Sequence, residues 1–250
     1  MIKILLNGAN GRMGQEIARL AAESEQYEIV AGVDSYTEKE NKFPVYKTLS
    51  ECKEEFDVII DFSNASGLEA LLSFAKDKKK GVIISTTGHS VEQKELMKES
   101  SKEIPVFFSA NMSLGINLLI DLAKKAALVL GDAYDIEIVE KHHNQKLDAP
   151  SGTALAIADG ISEVEPSAME YTYDRHSVRK KRDKKEIGIS SVRGGTIVGE
   201  HEVLFCGPDE IIEIKHHAAS RRVFAEGALR AAAFLCDKGA GMYCMNDMFK

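Results

Sequence analysis

A strand that runs directly into a glycine-rich turn is the feature that most constrains the fold of this chain. Residues 2–7 read I-K-I-L-L-N and predict a buried strand, and residues 8–14 read G-A-N-G-R-M-G. A helix is predicted to begin inside the turn, at about residue 12. A strand, a glycine-rich turn and a helix in this order favour a βαβ unit, in which main-chain N–H groups and the helix dipole attract a pyrophosphate.

From residue 1 to about 130, short β-branched runs alternate with longer amphipathic stretches. Strands are predicted at 2–7, 28–33, 57–62, 81–86 and 105–108. Helices are predicted at about 12–24, 65–77, 90–101 and 114–130. This alternation is typical of the α/β class and predicts an N-terminal Rossmann-like, doubly wound parallel sheet.

After Gly131 the pattern changes and predicts a second α+β domain built on a mixed, largely antiparallel sheet. Its strands are predicted at 134–139, 187–193, 196–205 and 210–216, with a helix starting at Thr153 and a long polar loop at 163–186. A helix over about 221–238 is predicted to return to the first domain. We therefore expect a dinucleotide-binding domain at 1–113 plus 221–250, and a substrate-binding and oligomerisation domain at 114–220.

Charge and cysteine usage limit the partners and the compartment. The 250 residues carry a formal net charge of −7, which disfavours binding to nucleic acid or to an anionic membrane surface. A basic cluster at 175–185 is interrupted by Asp183 and is predicted to be a solvated loop. The four cysteines form no C-x-x-C pair, and the apolar start is too short for a signal peptide or spanning helix, so we expect a cytoplasmic protein.

Asp34 is the predicted contact of an adenosine ribose. It ends the second strand about twenty residues after the glycine-rich turn, where a ribose-binding acid is expected. A carboxylate accepts ribose hydroxyls and repels a 2′-phosphate, which slightly favours NADH over NADPH, although Lys39 and Lys42 lie nearby in sequence. The alternative is that the glycines only permit a sharp turn and that Asp34 is a solvated strand-end residue.

Three more predicted strands end in polar segments that belong to the same crevice, because ligands of open α/β sheets lie beyond the carboxyl ends of the strands. For any single segment, an ordinary polar loop is an equally good interpretation. The segments contain Phe62 after the third strand, Ser85, Thr86 and Thr87 after the fourth, and Ser109, Ala110, Asn111 and Met112 after the fifth.

Residues 140–154, E-K-H-H-N-Q-K-L-D-A-P-S-G-T-A, carry the densest set of chemical groups in the chain. His142, His143 and Lys146 can supply protons and positive charge. Ser151 or Thr153 can cap the helix that follows, whose first N–H groups suit a carboxylate.

Other interpretations of this segment remain open. One histidine can be a hydrogen-bonded core residue, Lys146 a surface charge and Asp148 a turn former. A metal site is not expected, because neighbouring strand residues point to opposite faces and no third ligand lies at suitable spacing.

The chain resembles the 4-hydroxy-tetrahydrodipicolinate reductase family, also called dihydrodipicolinate reductase, over essentially its whole length. The central motif at 140–154 is long and specific. The other matching segments are G-A-N-G-R-M-G at 8–14, D-F-S at 61–63, T-T-G at 86–88, A-N-M-S at 110–113, R-G-G-T-I-V-G-E-H at 193–201 and A-S-R at 219–221.

The resemblance implies a homotetramer that reduces a cyclic dicarboxylate with NADH or NADPH, in the lysine and diaminopimelate pathway. His142 matches the family's proton donor and acceptor, and Lys146 its second proton-donating residue. His143, Gly152 and Thr153 match the carboxylate-holding positions, to which Ser151 at the helix start is added. The cofactor positions are Gly8, Ala9, Asn10, Gly11, Arg12, Met13, Asp34, Phe62, Ser85, Thr86, Thr87, Ser109, Ala110, Asn111, Met112 and Arg221.

The chain departs from the family pattern in two places. Many members carry glycine at the position of Ser85, and some carry an acidic residue followed by arginine where this chain has Asp34 and Ser35. Two rival functions are another two-domain NAD(P)-dependent dehydrogenase and an NADH-binding redox sensor. The four cysteines are not placed as semialdehyde-type nucleophiles, and no DNA-reading basic domain is predicted.

Overall fold

The computed structural model describes residues 1–249, which form two compact units. One unit is Met1–Ser113 together with the chain from Arg221 onward, and the other is Leu114–Ser220. The strands are β1 (Ile2–Asn7), β2 (Tyr27–Val33), β3 (Val45–Tyr46), β4 (Val58–Asp61), β5 (Gly81–Ile84), β6 (Pro105–Phe108), β7 (Asp135–His142), β8 (Glu170–Thr172), β9 (Glu186–Arg193), β10 (Gly199–Cys206), β11 (Ile211–Ala218) and β12 (Gly241–Tyr243). The α-helices are α1 (Arg12–Ala22), α2 (Leu68–Lys78), α3 (Val91–Ser100), α4 (Leu114–Leu130), α5 (Gly152–Val164) and α6 (Arg222–Cys236).

The first unit is built on a parallel sheet with the strand order β12-β6-β5-β4-β1-β2-β3. Its central strands are buried along their length because helices cover the sheet, so β4 and β5 are nearly continuous apolar runs. Leu5, Ile59 and Val82 form one core with α2 and α3, while α6 packs against α1, β4 and β5. The Rossmann-like class predicted from the sequence is confirmed.

The second unit has a mixed sheet with the order β11-β10-β7-β9-β8. The β7–β10 and β10–β11 ladders are antiparallel and form the larger part of the sheet, whereas β9 runs parallel to both β7 and β8. Helices α4 and α5 pack against each other and against this sheet. The predicted α+β character is confirmed.

One face of β7 changes from apolar to ionisable along its length. Ile136 and Ile138 lie in the core, and since side chains alternate along a strand, Glu140 and His142 continue on that same face. Across the antiparallel ladder, Glu140 pairs with His201. The ionisable groups therefore begin where the core of this unit ends.

Several predicted boundaries are wrong. The strand predicted to end at residue 139 continues to His142, because Glu140 and His142 keep the inward alternation despite being polar. The loop predicted at 163–186 contains β8, and β3 and β12 were not predicted. These three strands have two or three residues each, too few for an alternating pattern to be visible in the sequence.

Candidate active site

The glycine-rich turn of the first unit depends on residues without side chains. Gly8 has a φ of +83°, and a Cβ there would collide with the carbonyl of Phe62. A Cβ at Gly14 would collide with the carbonyl of Gly8. Helix α1 starts with Gly11 as its N-cap residue, which has no side chain to cap the first N–H groups. The turn thus fits a pyrophosphate, which those N–H groups and the helix dipole would bind.

Asp34 lies beside this turn and stabilises it. Its Oδ2 accepts a hydrogen bond from the main-chain N–H of Asn10 at 2.9 Å, and its Oδ1 accepts one from Tyr36 N–H at 3.0 Å. A carboxylate oxygen can accept more than one hydrogen bond, so both oxygens keep capacity for ribose hydroxyls.

A cavity of about 810 Å³ opens between the turn and the loops after β3 and β4. Gly8, Gly11, Asp34 and Phe62 are among the predicted cofactor residues that line it. Lys47 also lines this cavity, whereas Lys42 lines a different one. Lys47, which sequence proximity did not suggest, therefore shares a cavity with Asp34.

A buried hydrogen-bond network connects the ends of β1, β4 and β5. Asp61 is 2% exposed and accepts hydrogen bonds from Asn7 Nδ2 at 2.7 Å and Thr86 Oγ1 at 2.6 Å. Burial raises the pKa of Asp61, even though the hydrogen bonds from Ser63, Thr86 and Asn7 oppose the shift. Asn7 was not predicted as a site residue. It is the last residue of β1 and pairs with Asp61, the last residue of β4, so two polar residues at the ends of neighbouring strands were the available signal.

The other predicted cofactor residues also lie in the first unit, but their side chains differ in exposure. Met112 is 1% exposed, and its carbonyl lies so close to Gly227 that no Cβ would fit there. A cofactor contact from Met112 would therefore use its main chain. The buried positions are Ala9, Ser85 and Thr86, the partly exposed ones are Asn10, Met13, Ser109 and Asn111, and the exposed ones are Arg12, Thr87, Ala110 and Arg221.

In the second unit, His142 is paired with a fully buried carboxylate. His142 Nδ1 lies 2.6 Å from Glu140 Oε2, and the two guanidinium nitrogens of Arg193 donate to the two Glu140 oxygens at 2.7 and 2.6 Å. Burial alone would raise the pKa of Glu140, but its hydrogen bonds to His142, Arg193, Ser191 and the Ser151 N–H outweigh burial and hold that pKa well below its ordinary value. Glu140 is therefore ionised throughout the physiological pH range.

The second nitrogen of His142 lies beside a glycine. A carboxylate accepts hydrogen bonds and donates none, so the neutral imidazole carries its proton on Nδ1 and has an acceptor nitrogen at Nε2. A Cβ at position 199 would lie 3.1 Å from Nε2, and the glycine there leaves room beside that nitrogen. This arrangement suits proton exchange with a bound molecule.

His201 supports the start of α5 and was missed as a site residue. It is 3% exposed, its Nε2 lies 3.0 Å from Ser151 Oγ, and its ring contacts that of His142 edge-on at 5.1 Å between centroids. Burial is the main cause that lowers the pKa of His201 to about 3, and the nearby His142 is the second. This imidazole is therefore neutral. The signal in the sequence was the alternation of β10, which places His201 on the inward face.

Ser151 is the N-cap residue of α5. Its Oγ accepts a hydrogen bond from Ala154 N–H at 3.1 Å, as its residue type predicts. Gly152 is exposed with nothing within 4 Å of an added Cβ, and Thr153 is partly buried. The start of α5 is thus open to an anion.

Lys146 is 21% exposed and pairs with Asp148, with 2.8 Å between Nζ and Oδ1. Burial opposes the shift, but this contact lowers the pKa of Asp148. Arg193 also donates to the main-chain oxygen of Asp148 at 2.6 Å. The loop that follows the partly buried His143 is thereby anchored to the ion pair of Glu140 and Arg193.

Among the described residues 1–249, no group of three or more His, Cys, Asp and Glu side chains is arranged to hold a metal ion. Within the same range, no helix is long and apolar enough to cross a membrane.

The fold and the two sets of residues define a class of protein: an oxidoreductase with a nicotinamide-dinucleotide domain and a separate α+β domain. A family model described as dihydrodipicolinate reductase, N-terminus, matches residues 2–112, and one described as dihydrodipicolinate reductase, C-terminus, matches residues 115–249. The chain belongs to the dihydrodipicolinate reductase family, which confirms the resemblance found in its motifs.

Similar proteins cover the whole chain. A 4-hydroxy-tetrahydrodipicolinate reductase of Caldanaerobacter subterraneus is 54% identical over 250 residues, covering 100% of this chain and 99% of its own. The same enzyme of Clostridium novyi is 47% identical with the same coverage. A solved structure, dipicolinate-bound dihydrodipicolinate reductase from Paenisporosarcina sp. TG-14, superposes with a TM-score of 0.81 at 25% identity, covering 98% of this chain and 99% of that one.

Proposed function

We propose that this chain reduces 4-hydroxy-tetrahydrodipicolinate (dihydrodipicolinate) to tetrahydrodipicolinate with NADH or NADPH, in diaminopimelate and lysine biosynthesis. The observation that carries the proposal is the pair formed by buried Glu140 and His142, located beside the open start of α5. A relative that is 54% identical over the full chain bears the name of this reductase.

The first unit holds the dinucleotide, and the bound nicotinamide supplies the hydride. The glycine-rich turn and the first N–H groups of α1 bind the pyrophosphate, and Asp34 binds the adenosine ribose. NADH is slightly favoured because Asp34 repels a 2′-phosphate. Lys47 lines the same cavity and reduces that repulsion, so both cofactors bind.

The second unit holds the substrate through its two carboxylates. The N–H groups at Gly152 and Thr153, together with Ser151 and the His143 side chain, bind these anions, because a helix start attracts negative charge. Dipicolinate, a planar dicarboxylate, is bound in the Paenisporosarcina structure. That finding supports a ring dicarboxylate as the ligand here.

His142 and Lys146 manage the proton of the reaction. Hydride addition to the conjugated ring leaves negative charge that one proton must neutralise. His142 takes up this proton from solvent at Nε2, and the resulting imidazolium, stabilised by Glu140, donates it to the ring. Lys146 adds positive charge and a second proton source. Asp148, which pairs with Lys146 at 2.8 Å, holds that ammonium in place.

The chain assembles as a cytoplasmic homotetramer through the second unit. Outward-facing residues of β7 and β10 are partly exposed, and Val192 of β9 and Ile211 of β11 are 44% and 58% exposed. A β-sheet face with such apolar residues is suited to pairing with a second copy. The thiols of Cys52, Cys206, Cys236 and Cys244 are all free, in agreement with a reducing compartment.

The test is NADH oxidation by the purified protein, followed by loss of absorbance at the NADH band. The cyclic substrate should be consumed with the cofactor, while a semialdehyde or a hydroxy acid with NAD should give no turnover. Turnover only with the latter substrates would favour the two-domain dehydrogenase alternative. Tight NADH binding without turnover on any substrate would favour a redox sensor.

A further inference from the structure

The two oxygens of Glu140 serve different parts of the second unit. Oε2 contacts Nδ1 of His142 at 2.6 Å, whereas Oε1 accepts the main-chain N–H of Ser151, the N-cap residue of α5, at 3.0 Å. Glu140 is 0% exposed, so these hydrogen bonds do not compete with water. One carboxylate thus connects the proton-handling imidazole with the start of the anion-binding helix.

Arg193 makes this carboxylate tolerable in a buried position. Its guanidinium donates to both Glu140 oxygens in a fork, at 2.7 and 2.6 Å, and also to the main-chain oxygen of Asp148. The fork fixes the plane of the Glu140 carboxylate and therefore the direction of its hydrogen bond to His142. Asp148 in turn pairs with Lys146, so the lysine-bearing loop is tied to the same group.

We propose that Glu140, held by Arg193, is the positioning residue of this site. It keeps the proton of His142 on Nδ1, leaves Nε2 as the nitrogen that exchanges a proton with the substrate, and anchors the start of α5 through Ser151. The assignment of the substrate step rests on the function proposed above. The tautomer and the anchoring are properties of this chain that can be measured without any turnover.

Substituting Glu140→Gln should reverse the tautomer of His142. A glutamine amide has one acceptor oxygen and one donor NH₂ group, while the Arg193 guanidinium has only donors. The amide oxygen therefore turns toward Arg193 and the NH₂ group faces His142 Nδ1. The imidazole must then accept at Nδ1 and carry its proton on Nε2. Protonating it at Nδ1, to form the imidazolium that donates from Nε2, would place that N–H against the amide NH₂ group.

The primary experiment is a long-range ¹H–¹⁵N spectrum of protein labelled at histidine, with the His142 signals assigned from the H142Q variant. The wild type should show the Nδ1–H tautomer and E140Q the Nε2–H tautomer. In the same preparations, kcat should fall by about 10²-fold, the lower part of the range for proton-transfer catalysis, with KM for NADH unchanged. Retention of the Nδ1–H tautomer and of wild-type kcat in E140Q would overturn the proposal.

Glu186→Gln is the matched control. Glu186 is also fully buried in the second unit and is paired with Arg175 at 2.6 Å and Lys180 at 3.1 Å, but neither partner belongs to the candidate site. E186Q should lose stability as E140Q does, while keeping kcat and the His142 tautomer. An equal loss of kcat in E186Q would show that the effect of E140Q is a general loss of structure, and would contradict positioning.

Glu140→Asp keeps the proposal testable if E140Q does not fold. Aspartate retains the charge that neutralises Arg193 but is one methylene shorter, so it cannot keep both the fork and the His142 contact. A folded E140D with a mixed tautomer and reduced kcat supports the proposal, whereas a wild-type tautomer and kcat contradict it. Calorimetric titration with dipicolinate reports on the site even if the proposed reaction is wrong. Both variants should bind dipicolinate more weakly, because the anchor at Ser151 is lost.

Discussion

The two nitrogens of His142 have different environments, and this difference suits the imidazole to moving a proton. Nδ1 lies 2.6 Å from Glu140, whereas Nε2 lies beside Gly199, where a Cβ would come within 3.1 Å of it. A histidine with a fixed tautomer presents a defined acceptor to a ligand. In the proposed reaction, proton transfer therefore depends on Nε2 of His142, whose protonation is controlled by the buried carboxylate at Nδ1.

Replacing either proton-handling side chain should remove catalysis and leave cofactor binding intact. His142→Gln and Lys146→Ala are each expected to lower kcat by about 10²- to 10⁴-fold, the usual contribution of general acid–base catalysis. The calorimetric Kd for NADH should not change, because its contacts lie in the first unit. His176→Gln and Lys181→Ala, at exposed positions of the same unit, are the matched controls and should keep wild-type kcat.

Wild-type turnover in H142Q or K146A would refute the corresponding role. A loss of NADH binding together with kcat would instead indicate that the substitution disturbs the fold.

Lys47 should determine how well NADPH is tolerated. Lys47→Ala is expected to weaken NADPH binding about tenfold, as for the loss of one hydrogen bond to a charged group, and to leave NADH binding unchanged. Calorimetric titration with both dinucleotides measures the difference. Lys39→Ala serves as the control, and an equal effect of both substitutions on NADPH would show that Lys47 makes no specific contact.

At the residue scale, the sequence predicted the groups with obvious chemistry and missed those that position them. His142, Lys146 and Ser151 were recognisable from residue type and from the helix start that follows. Glu140 received no role, because its burial and its contact with Arg193 depend on the pairing of β7 with β9. Such long-range register is absent from any local pattern.

At the scale of elements, β7 and β10 carry the site because their inward faces extend past the core. Val203 pairs with Ile138 in the core, and the next inward pair is His201 with Glu140. Strand pairing therefore places a neutral histidine against an ionised carboxylate.

Burial of His201 should make the protein less stable between pH 7 and pH 5. Its folded pKa of about 3 lies below its unfolded value near 6.5, so the unfolded state binds a proton that the folded state does not. Unfolding then becomes easier as the pH falls below 6.5, with a loss of about 2 kcal/mol of unfolding free energy at pH 5. Partly buried His216, whose pKa is also lowered by burial, contributes with the same sign.

Denaturant unfolding at pH 7 and pH 5 measures this effect, with His201→Gln as the comparison. The glutamine can still accept from Ser151 but does not titrate in this range. The variant should therefore lose less stability than the wild type on going to pH 5. Equal losses in both proteins would contradict the assignment of the effect to His201.

Element prediction succeeded where the pattern was long and failed where it was short. The buried runs of β1, β4 and β5 and the helix α4 were predicted because each has a clear apolar pattern. β8 pairs with β9 through only three residues inside a charged segment, whose ion pairs include Arg182 with Glu137. Nothing in that local composition distinguishes a strand from a loop.

At the scale of the whole molecule, the proposed function assigns two tasks to the two units of the fold. The first unit is formed by the N-terminal segment and the returning helix α6, and the second by the residues between them. In the proposed reaction, the hydride donor is held by the first unit and the proton donor belongs to the second.

Assembly should depend on the outward face of the second sheet. Leu204 lies on that face of β10, and Leu204→Glu is expected to convert a tetramer into smaller species because it adds charge to an apolar contact. Light scattering gives the mass, and circular dichroism shows whether the fold is kept. Val178→Glu, at an exposed loop position, is the control, and a tetramer in both variants would place the interface elsewhere.

The most direct measurement is transfer of deuterium to the cyclic substrate from reduced dinucleotide that carries deuterium at both C4 positions of the nicotinamide, with the product analysed by mass spectrometry. Wild-type protein should yield tetrahydrodipicolinate that carries one deuterium on a ring carbon, and H142Q should yield almost none in the same time. Unlabelled product, or no product while both ligands are bound, would contradict the proposed reduction.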